Sequence, residues 1–128
     1  MARYRDLTPY AYDETAGRDP RMLNVGWLGR LPFFRRGRVS PDVVDALARL
    51  CADPVRRMRG FHPCGLCRSP TIGVQFLHGG REIFLGSAEI RVAGEGGIVY
   101  AAPNLILHYV TEHRYLPPRE FLDALANA

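Results

Sequence analysis

An α+β fold in one small domain, with three helices and an antiparallel sheet of about four to five strands, is what the sequence predicts. Three observations carry that expectation. The chain has 128 residues, 47% of them apolar and 23% charged, enough to bury roughly two-thirds of its unfolded surface in one core and too few for a second domain. Apolar residues recur at helical spacing in three stretches. Between two of these, residues 71–102 read as short strands broken by glycine turns.

Residues 1–21 place Tyr4, Leu7, Tyr10 and Tyr12 among prolines, aspartates and glycine, so an irregular N-terminal arm pinned to the domain by its aromatics is expected. In Leu23-Asn24-Val25-Gly26-Trp27 the apolar side chains alternate with small or polar ones, the period-2 pattern of a strand with one buried face. The lone tryptophan is therefore a core residue. Ser40-Pro41-Asp42 starts a helix with a hydroxyl N-cap, proline at the first helical position and an acid near the positive end of the dipole. Val43, Val44, Leu47, Leu50 and Cys51 form its apolar stripe, and Asp53-Pro54 ends it. Cys51 on that stripe reads as a small core hydrophobe.

Strands follow at 72–77, 82–85, 88–92 and 98–101. His78-Gly79-Gly80 and Gly94-Glu95-Gly96-Gly97 serve as the hairpin connections, which makes His78 an exposed turn residue. Pro103-Asn104 introduces an apolar helix running to about His113, and Pro117-Pro118-Arg119-Glu120 opens a last one carrying Phe121, Leu122 and Leu125.

All 17 basic residues are arginine, against 13 acidic ones, a net charge of +4. Eight arginines and three aspartates fall between Arg30 and Arg59, so this stretch carries +5 and the remainder −1. Guanidinium forks make bidentate bonds to carboxylates and phosphates alike. Arg35, Arg36, Arg38, Arg56, Arg57 and Arg59 are thus the candidate partner-binding residues, toward an acidic protein surface first and nucleic acid second. No run of about 18 apolar residues marks a membrane span, and the N-terminus lacks the apolar stretch of a signal peptide. A cytoplasmic protein is expected.

Cys64 and Cys67 stand as C-x-x-C in His62-Pro63-Cys64-Gly65-Leu66-Cys67, a spacing from which two thiolates reach one tetrahedral ion. His62 offers a third donor. His108 and His113 form an H-x4-H pair, and the 40 residues between Cys67 and His108 exclude a compact zinc finger. Residues five apart on a helix point about 140° apart; His113 falls on the apolar face and His108 on another flank, so both bind one ion only where the helix loosens near its end. The preferred ligand set is Cys64, Cys67, His62 and His113, with His108 in reserve and zinc as the expected metal. An open fourth position would permit hydrolase or lyase chemistry, with Glu112 as the candidate base.

Other chemistries fit less well. Thioredoxin-like redox work needs a helix starting at the C-x-x-C, and Arg68-Ser69-Pro70 opposes one. The P-C-x-x-C half of a zinc deaminase is present, but its partner motif is reduced to Cys51-Ala52-Asp53, with aspartate where glutamate belongs and a proline directly after. Neither H-E-x-x-H nor G-x-S-x-G nor a P-loop occurs.

The segments Asn24–Leu28 (NVGWL), Arg59–Cys67 (RGFHPCGLC), Leu85–Val92 (LGSAEIRV) and Tyr100–Ile106 (YAAPNLI), continuing through His108-Tyr109-Val110 and His113 to Tyr115 and Pro117-Pro118, resemble a family of small, uncharacterised bacterial proteins. The likeness runs over nearly the whole chain and implies a stand-alone bacterial domain. The family carries no assigned activity, so it implies neither ligands nor a mechanism. The reading from the residues is an accessory or immunity-type interaction protein with a structural zinc, a small metal-dependent enzyme being the alternative and a nucleic-acid binder the third.

Overall fold

A computed structural model of the protein describes residues 3–10, 20–29, 33–57, 61–68 and 74–128. Among these the elements run β1 (Met22–Asn24), α1 (Pro41–Ala52), β2 (Gln75–His78), β3 (Arg81–Phe84), β4 (Glu89–Ala93), a 3-10 turn (Glu95–Gly97), β5 (Val99–Pro103), α2 (Ile106–Glu112) and α3 (Arg119–Ala126). The expected α+β class is what the chain forms, with three helices and five strands among the described residues.

The strands divide differently from a single antiparallel sheet. β2 and β3 pair as a separate hairpin, while β1, β5 and β4 form a three-stranded sheet with β5 in the centre. β4 and β5 are antiparallel, but β1 joins β5 in parallel, Met22 opposite Val99 and Asn24 opposite Ala101. The long intervening chain permits that: only strands joined by a tight turn are obliged to run antiparallel. The two glycine turns sit where expected, and Gly79 and Gly80 both take positive φ, +57° and +77°, as two-residue hairpin loops favour.

The strand expected over residues 23–27 is cut short at Asn24, because Gly26 turns the chain with φ +78°. Asn24, Val25 and Trp27 are nevertheless all buried, so both sides of the segment are covered. The arm explains one side. Tyr4, Leu7, Thr8 and Tyr10 exchange backbone hydrogen bonds with Trp27, Asn24 and Met22, so residues 4–10 run antiparallel beside the segment. Tyr10, Trp27 and Ala101 form a small apolar cluster there, with Tyr4 and Met22 packed on it, and the indole N–H donates to the Ala101 carbonyl at 2.9 Å. Tyr12 and the rest of the arm to residue 19 lie outside the described residues.

α1 begins after Ser40 as expected, although the Ser40 side chain makes no capping bond; the Ser40 carbonyl accepts from Val43 and Val44. Leu47, Ala48 and Cys51 are buried against α2, α3 and β4. The main core joins them to Val25, Leu85, Ile90, Leu105, Ile106, Leu107, Tyr109 and Phe121.

One buried ion pair ties sheet and arm together. Glu89, fully buried on β4, accepts from Arg91 at 2.8 Å and from the Tyr10 hydroxyl at 2.9 Å, and Arg56 lies 3.7 Å away. Burial, and then the Glu89 charge, push the Tyr10 phenol up to about 12, so it stays a donor at neutral pH.

Gly86 marks the tightest backbone approach. It has φ +102°, and a side-chain carbon there would stand 2.5 Å from the His62 carbonyl oxygen. Gly79, by contrast, has positive φ with open space around it. Gly86→Ala is expected to cost about 2–3 kcal/mol in urea unfolding, and Gly79→Ala about 1 kcal/mol or less, because only the former adds a backbone clash to the strain. Equal losses would contradict the packing described.

Candidate metal centre

Two separated segments build the centre. The first, residues 61–67, is fastened through its backbone: the His62 N–H donates to Gly86 O at 2.8 Å, and the Gly86 N–H donates to Asn104 Oδ1 at 2.7 Å. Cys64 is fully buried, and Leu66 and Cys67 pack partly against the core. The second segment is α2, whose buried Ile106, Leu107, Tyr109 and Val110 seat it firmly.

The end of α2 resolves the angular mismatch between the histidines. The helix stops at Glu112, His113 has non-helical angles (φ −116°, ψ 3°), and Arg114 is left-handed at φ +58°, a frequent device at helix ends. Tyr109 O accepts from both His113 and Tyr115 N–H at 3.1 Å. His113 keeps the helical bond to Tyr109 but not the helical φ, and its ring centroid stands 5.1 Å from that of His108.

Cys64 Sγ lies 3.3 Å from His113 Nε2, Cys67 Sγ 3.2 Å from His108 Nε2, and Cys67 Sγ 3.5 Å from His113 Nε2. All four donor atoms fall within 4.8 Å of one another. In a tetrahedral zinc site, with zinc–sulfur at about 2.3 Å and zinc–nitrogen at about 2.0–2.1 Å, a sulfur and a nitrogen stand about 3.5 Å apart. Hydrogen bonding alone explains the group poorly, since one Nε2 offers a single lone pair or a single proton and His113 faces two sulfurs. The four residues are therefore close enough to hold a metal ion.

The electrostatics suit neutral imidazoles. Burial lowers the pKa of both His108 and His113, and for His108 the neighbouring His113 adds to it. Burial pushes the Cys64 thiol up to about 11, opposed in part by a hydrogen bond from the Leu66 backbone. Tyr109 is also raised, by burial and then by Cys64 and Cys67, so its hydroxyl remains neutral beside the sulfurs.

The structure brings together Cys64, Cys67, His113 and the reserve ligand His108, and leaves out His62. The hydrogen bond to Gly86 fixes the His62 backbone, and its ring is absent from the group; the sequence placed it beside the cysteines, whereas the second imidazole near them comes from His108 of α2. Glu112 is exposed on the last turn of α2 and also stands outside the group. His78 is not an exposed turn residue: it is the last residue of β2 and half-buried, with its Nε2 3.3 Å from Asp45 Oδ1 on α1. Sequence reasoning missed Asn104 and Gly86 as the supports of the cysteine loop, although the pairing of a glycine and a buried-type asparagine beside apolar strands was visible.

The arginines fall into two sets. Arg35, Arg36 and Arg38 are exposed on a strap bonded to the chain beyond His113: Gly37 N–H to Arg114 O and Leu116 N–H to Arg35 O, both 2.9 Å. The Arg36 guanidinium lies 4.5 Å from the Phe34 ring centroid. Arg56 and Arg57, also exposed, follow α1, where Arg56 faces Glu89. Arg59 lies outside the described residues.

Cys51 stands apart from this chemistry. It is 2% exposed, its thiol donates to Asn104 O at 3.5 Å, and burial pushes it up to about 12. Iodoacetamide at pH 8 is therefore expected to leave Cys51 unmodified in the native protein and to alkylate it once denatured, read by peptide mass spectrometry; labelling at the rate of a free thiol would contradict a core role.

Among the described residues no helix is long and apolar enough to cross a membrane. No curated protein and no solved structure matches the chain significantly. A family model does match, over residues 2–126, a span that takes in both halves of the Cys/His group. The chain belongs to that family, described as a domain of unknown function, DUF7919.

Proposed function

We propose that the protein is a metal-stapled binding module, in which a structural zinc held by Cys64, Cys67, His108 and His113 ties the 61–67 loop to the end of α2. The observation that carries this reading is the convergence of four donor atoms from two distant segments to within 4.8 Å. Two sulfurs and two imidazole nitrogens in a tetrahedral arrangement are the donors of structural zinc sites, with no carboxylate to favour a harder ion. Two thiolates balance the charge of a divalent ion, which offsets the cost of ionising sulfurs in a partly buried setting. The free cysteines suit a reducing, cytoplasmic setting.

Four protein donors close the coordination sphere, so no position remains for a reactive water. That favours a structural role over a hydrolase or lyase, and Glu112, exposed beside the histidines, is not among the four donors. The module then works by contact. Its Arg35–Arg38 strap is bonded to the residues that follow His113, so the metal-held helix end steadies a set of guanidiniums suited to an acidic partner protein, in the manner of an accessory or immunity-type protein.

Purified protein is expected to carry one zinc per chain by elemental analysis. Cys64→Ser, Cys67→Ser, His108→Ala and His113→Ala should each lose most of it and melt at lower temperature, while His62→Ala keeps it. Full metal content in His108→Ala with loss in His62→Ala would reverse the ligand assignment. The cobalt-substituted protein should show a tetrahedral spectrum indifferent to azide and to pH between 7 and 9; a spectrum that shifts with either indicates an open site and the enzyme reading. Binding weakens toward acid, as the imidazoles and thiolates take up protons.

The strap is tested separately. Arg35→Ala/Arg36→Ala/Arg38→Ala should abolish salt-sensitive retention on a polyglutamate matrix without changing zinc content. Undiminished retention would remove the strap from the contact, and tighter binding to generic single-stranded DNA than to polyglutamate would point to nucleic acid instead.

A further inference from the structure

A cavity of about 230 Å3 opens where the end of α1, strand β3 and the turn after β3 meet. Arg57, Arg81, Glu82, Ser87 and Asn104 supply its polar lining. Arg81 is fixed there by a bond from its Nη2 to the Ala52 carbonyl at 3.4 Å, at the last residue of α1, which leaves most of the guanidinium's N–H donors unspent. Arg57 comes after a tight turn: Val55 exchanges backbone hydrogen bonds of 2.7 and 2.8 Å with Glu89, Arg56 is left-handed at φ +51°, and the next residue lines the cavity. Among the described residues Arg57 makes neither a hydrogen bond nor an ion pair.

Two arginines alone are an ordinary solvated pair, and two further observations set this cavity apart. The first is a set of donors with bonds to spare. Asn104, 1% exposed, lines the cavity, and its Nδ2 commits one of two N–H bonds, at 3.4 Å, to the Phe84 carbonyl. Ser87 is half-buried, and among the described residues its hydroxyl makes no hydrogen bond. The neighbouring Gly86 N–H, bonded to Asn104 Oδ1 at 2.7 Å, keeps the Ser87 turn beside that amide. The second observation is an aromatic wall. Phe61 and Phe84 are large apolar side chains left 40% and 49% exposed; both line the cavity, with their ring centroids 6.4 Å apart. Aromatic side chains from two separate segments, meeting beside unspent donors, are the mixture of which small-molecule sites are made.

Size, charge and shape select the ligand. The volume of about 230 Å3 equals about eight waters at their liquid density and falls below the roughly 300–1,000 Å3 of drug-sized sites, so it takes one ring with one small head group. Two guanidiniums against the exposed Glu82 carboxylate leave the lining with a charge of +1, and the carbonyl end of α1, the negative pole of that helix, borders it through Ala52. A monoanion brings the sum to neutrality, whereas a phosphate dianion overshoots it. Guanidinium forks match a carboxylate through two parallel N–H bonds, and the Phe61 and Phe84 rings offer a flat apolar body its cover.

We infer that this cavity is a binding site for a small aromatic carboxylate, its carboxylate held by Arg57 and Arg81 with Ser87 Oγ and Asn104 Nδ2 as further donors, and its ring against Phe61 and Phe84. The anion-binding groups all lie outside the cysteine loop, so the assignment does not rest on the metal reading or on the Arg35–Arg38 strap.

The purified protein is titrated at pH 8 with benzoate, 3-phenylpropanoate, acetate, benzamide and phenyl phosphate, followed by calorimetry and amide chemical shifts. Benzoate or 3-phenylpropanoate is expected to bind at about 1 mM or tighter and to shift the amides of residues 51–57 and 81–87. Acetate, which lacks the ring, and benzamide, which lacks the charge, should each bind about tenfold more weakly or worse, and phenyl phosphate, a dianion at this pH, more weakly than benzoate. Arg57→Gln/Arg81→Gln should weaken binding about tenfold or more and Ser87→Ala several-fold, while Glu82→Gln, which removes the opposing carboxylate, should tighten it. Where the double variant melts early through loss of the Arg81 bond to α1, Arg57→Gln alone carries the test, since Arg57 bonds to nothing the fold needs among the described residues. The proposal is overturned if neither aromatic acid binds below about 10 mM, if Arg57→Gln binds as the parent does, if acetate or benzamide matches benzoate, if phenyl phosphate binds more tightly than benzoate, or if the shifts fall on residues 33–38 in place of the cavity, which marks a diffuse arginine surface.

Discussion

The structure turns on one buried side chain, Asn104. It is 1% exposed and sits where the central strand β5 ends and α2 is about to begin. Its amide group accepts from the Gly86 N–H and faces the Phe84 carbonyl at 3.4 Å, its backbone N–H donates to Ala88, and its carbonyl receives the Cys51 thiol. One residue thus links the hairpin β2–β3, the start of β4, helix α1 and helix α2. Leaving any of these buried groups unpaired would cost about 1–3 kcal/mol, so the connections between the two sheets are fixed by hydrogen bonding as much as by apolar packing.

The same residue sets both halves of the candidate metal centre. Through Gly86 it holds the His62 backbone, and so the loop carrying Cys64 and Cys67; through the chain itself it leads into the helix carrying His108. His113, which caps α2 with non-helical angles, completes the group. An ion bound there would link a loop that has little secondary structure of its own to a helix of only seven residues. Both are too short to be stable unaided, which is the situation in which metal-binding energy becomes folding energy.

Charge is distributed to match. The strap that carries Arg35, Arg36 and Arg38 is bonded to the residues after α2, whereas Glu95, Glu120 and Asp123 line a cavity with Tyr100. A net charge of +4 therefore conceals an arginine-bearing strap and an acidic cavity built on different elements. The buried Glu89, answered by Arg91, Arg56 and Tyr10, belongs to neither; it serves to fasten the N-terminal arm to the sheet.

By itself the sequence determined the local features. Apolar spacing with Ser40-Pro41 and Asp53-Pro54 set α1, paired glycines set the two turns, and C-x-x-C spacing marked Cys64 and Cys67, because each of these depends on residues within a few positions of one another. Cys51 and Trp27 were legible as core residues for the same reason. Only the tertiary structure decided the parallel pairing of β1 with β5, the antiparallel course of the arm, and the choice of His108 over His62 beside the cysteines. Sequence proximity favoured His62, but which side chains gather depends on where their atoms meet in space, and the non-helical angles of His113 at the end of α2 follow from no spacing rule. Likewise the arginines form one run in the sequence and two sets in the fold, since α1 lies between Arg38 and Arg56 and carries the chain from one to the other.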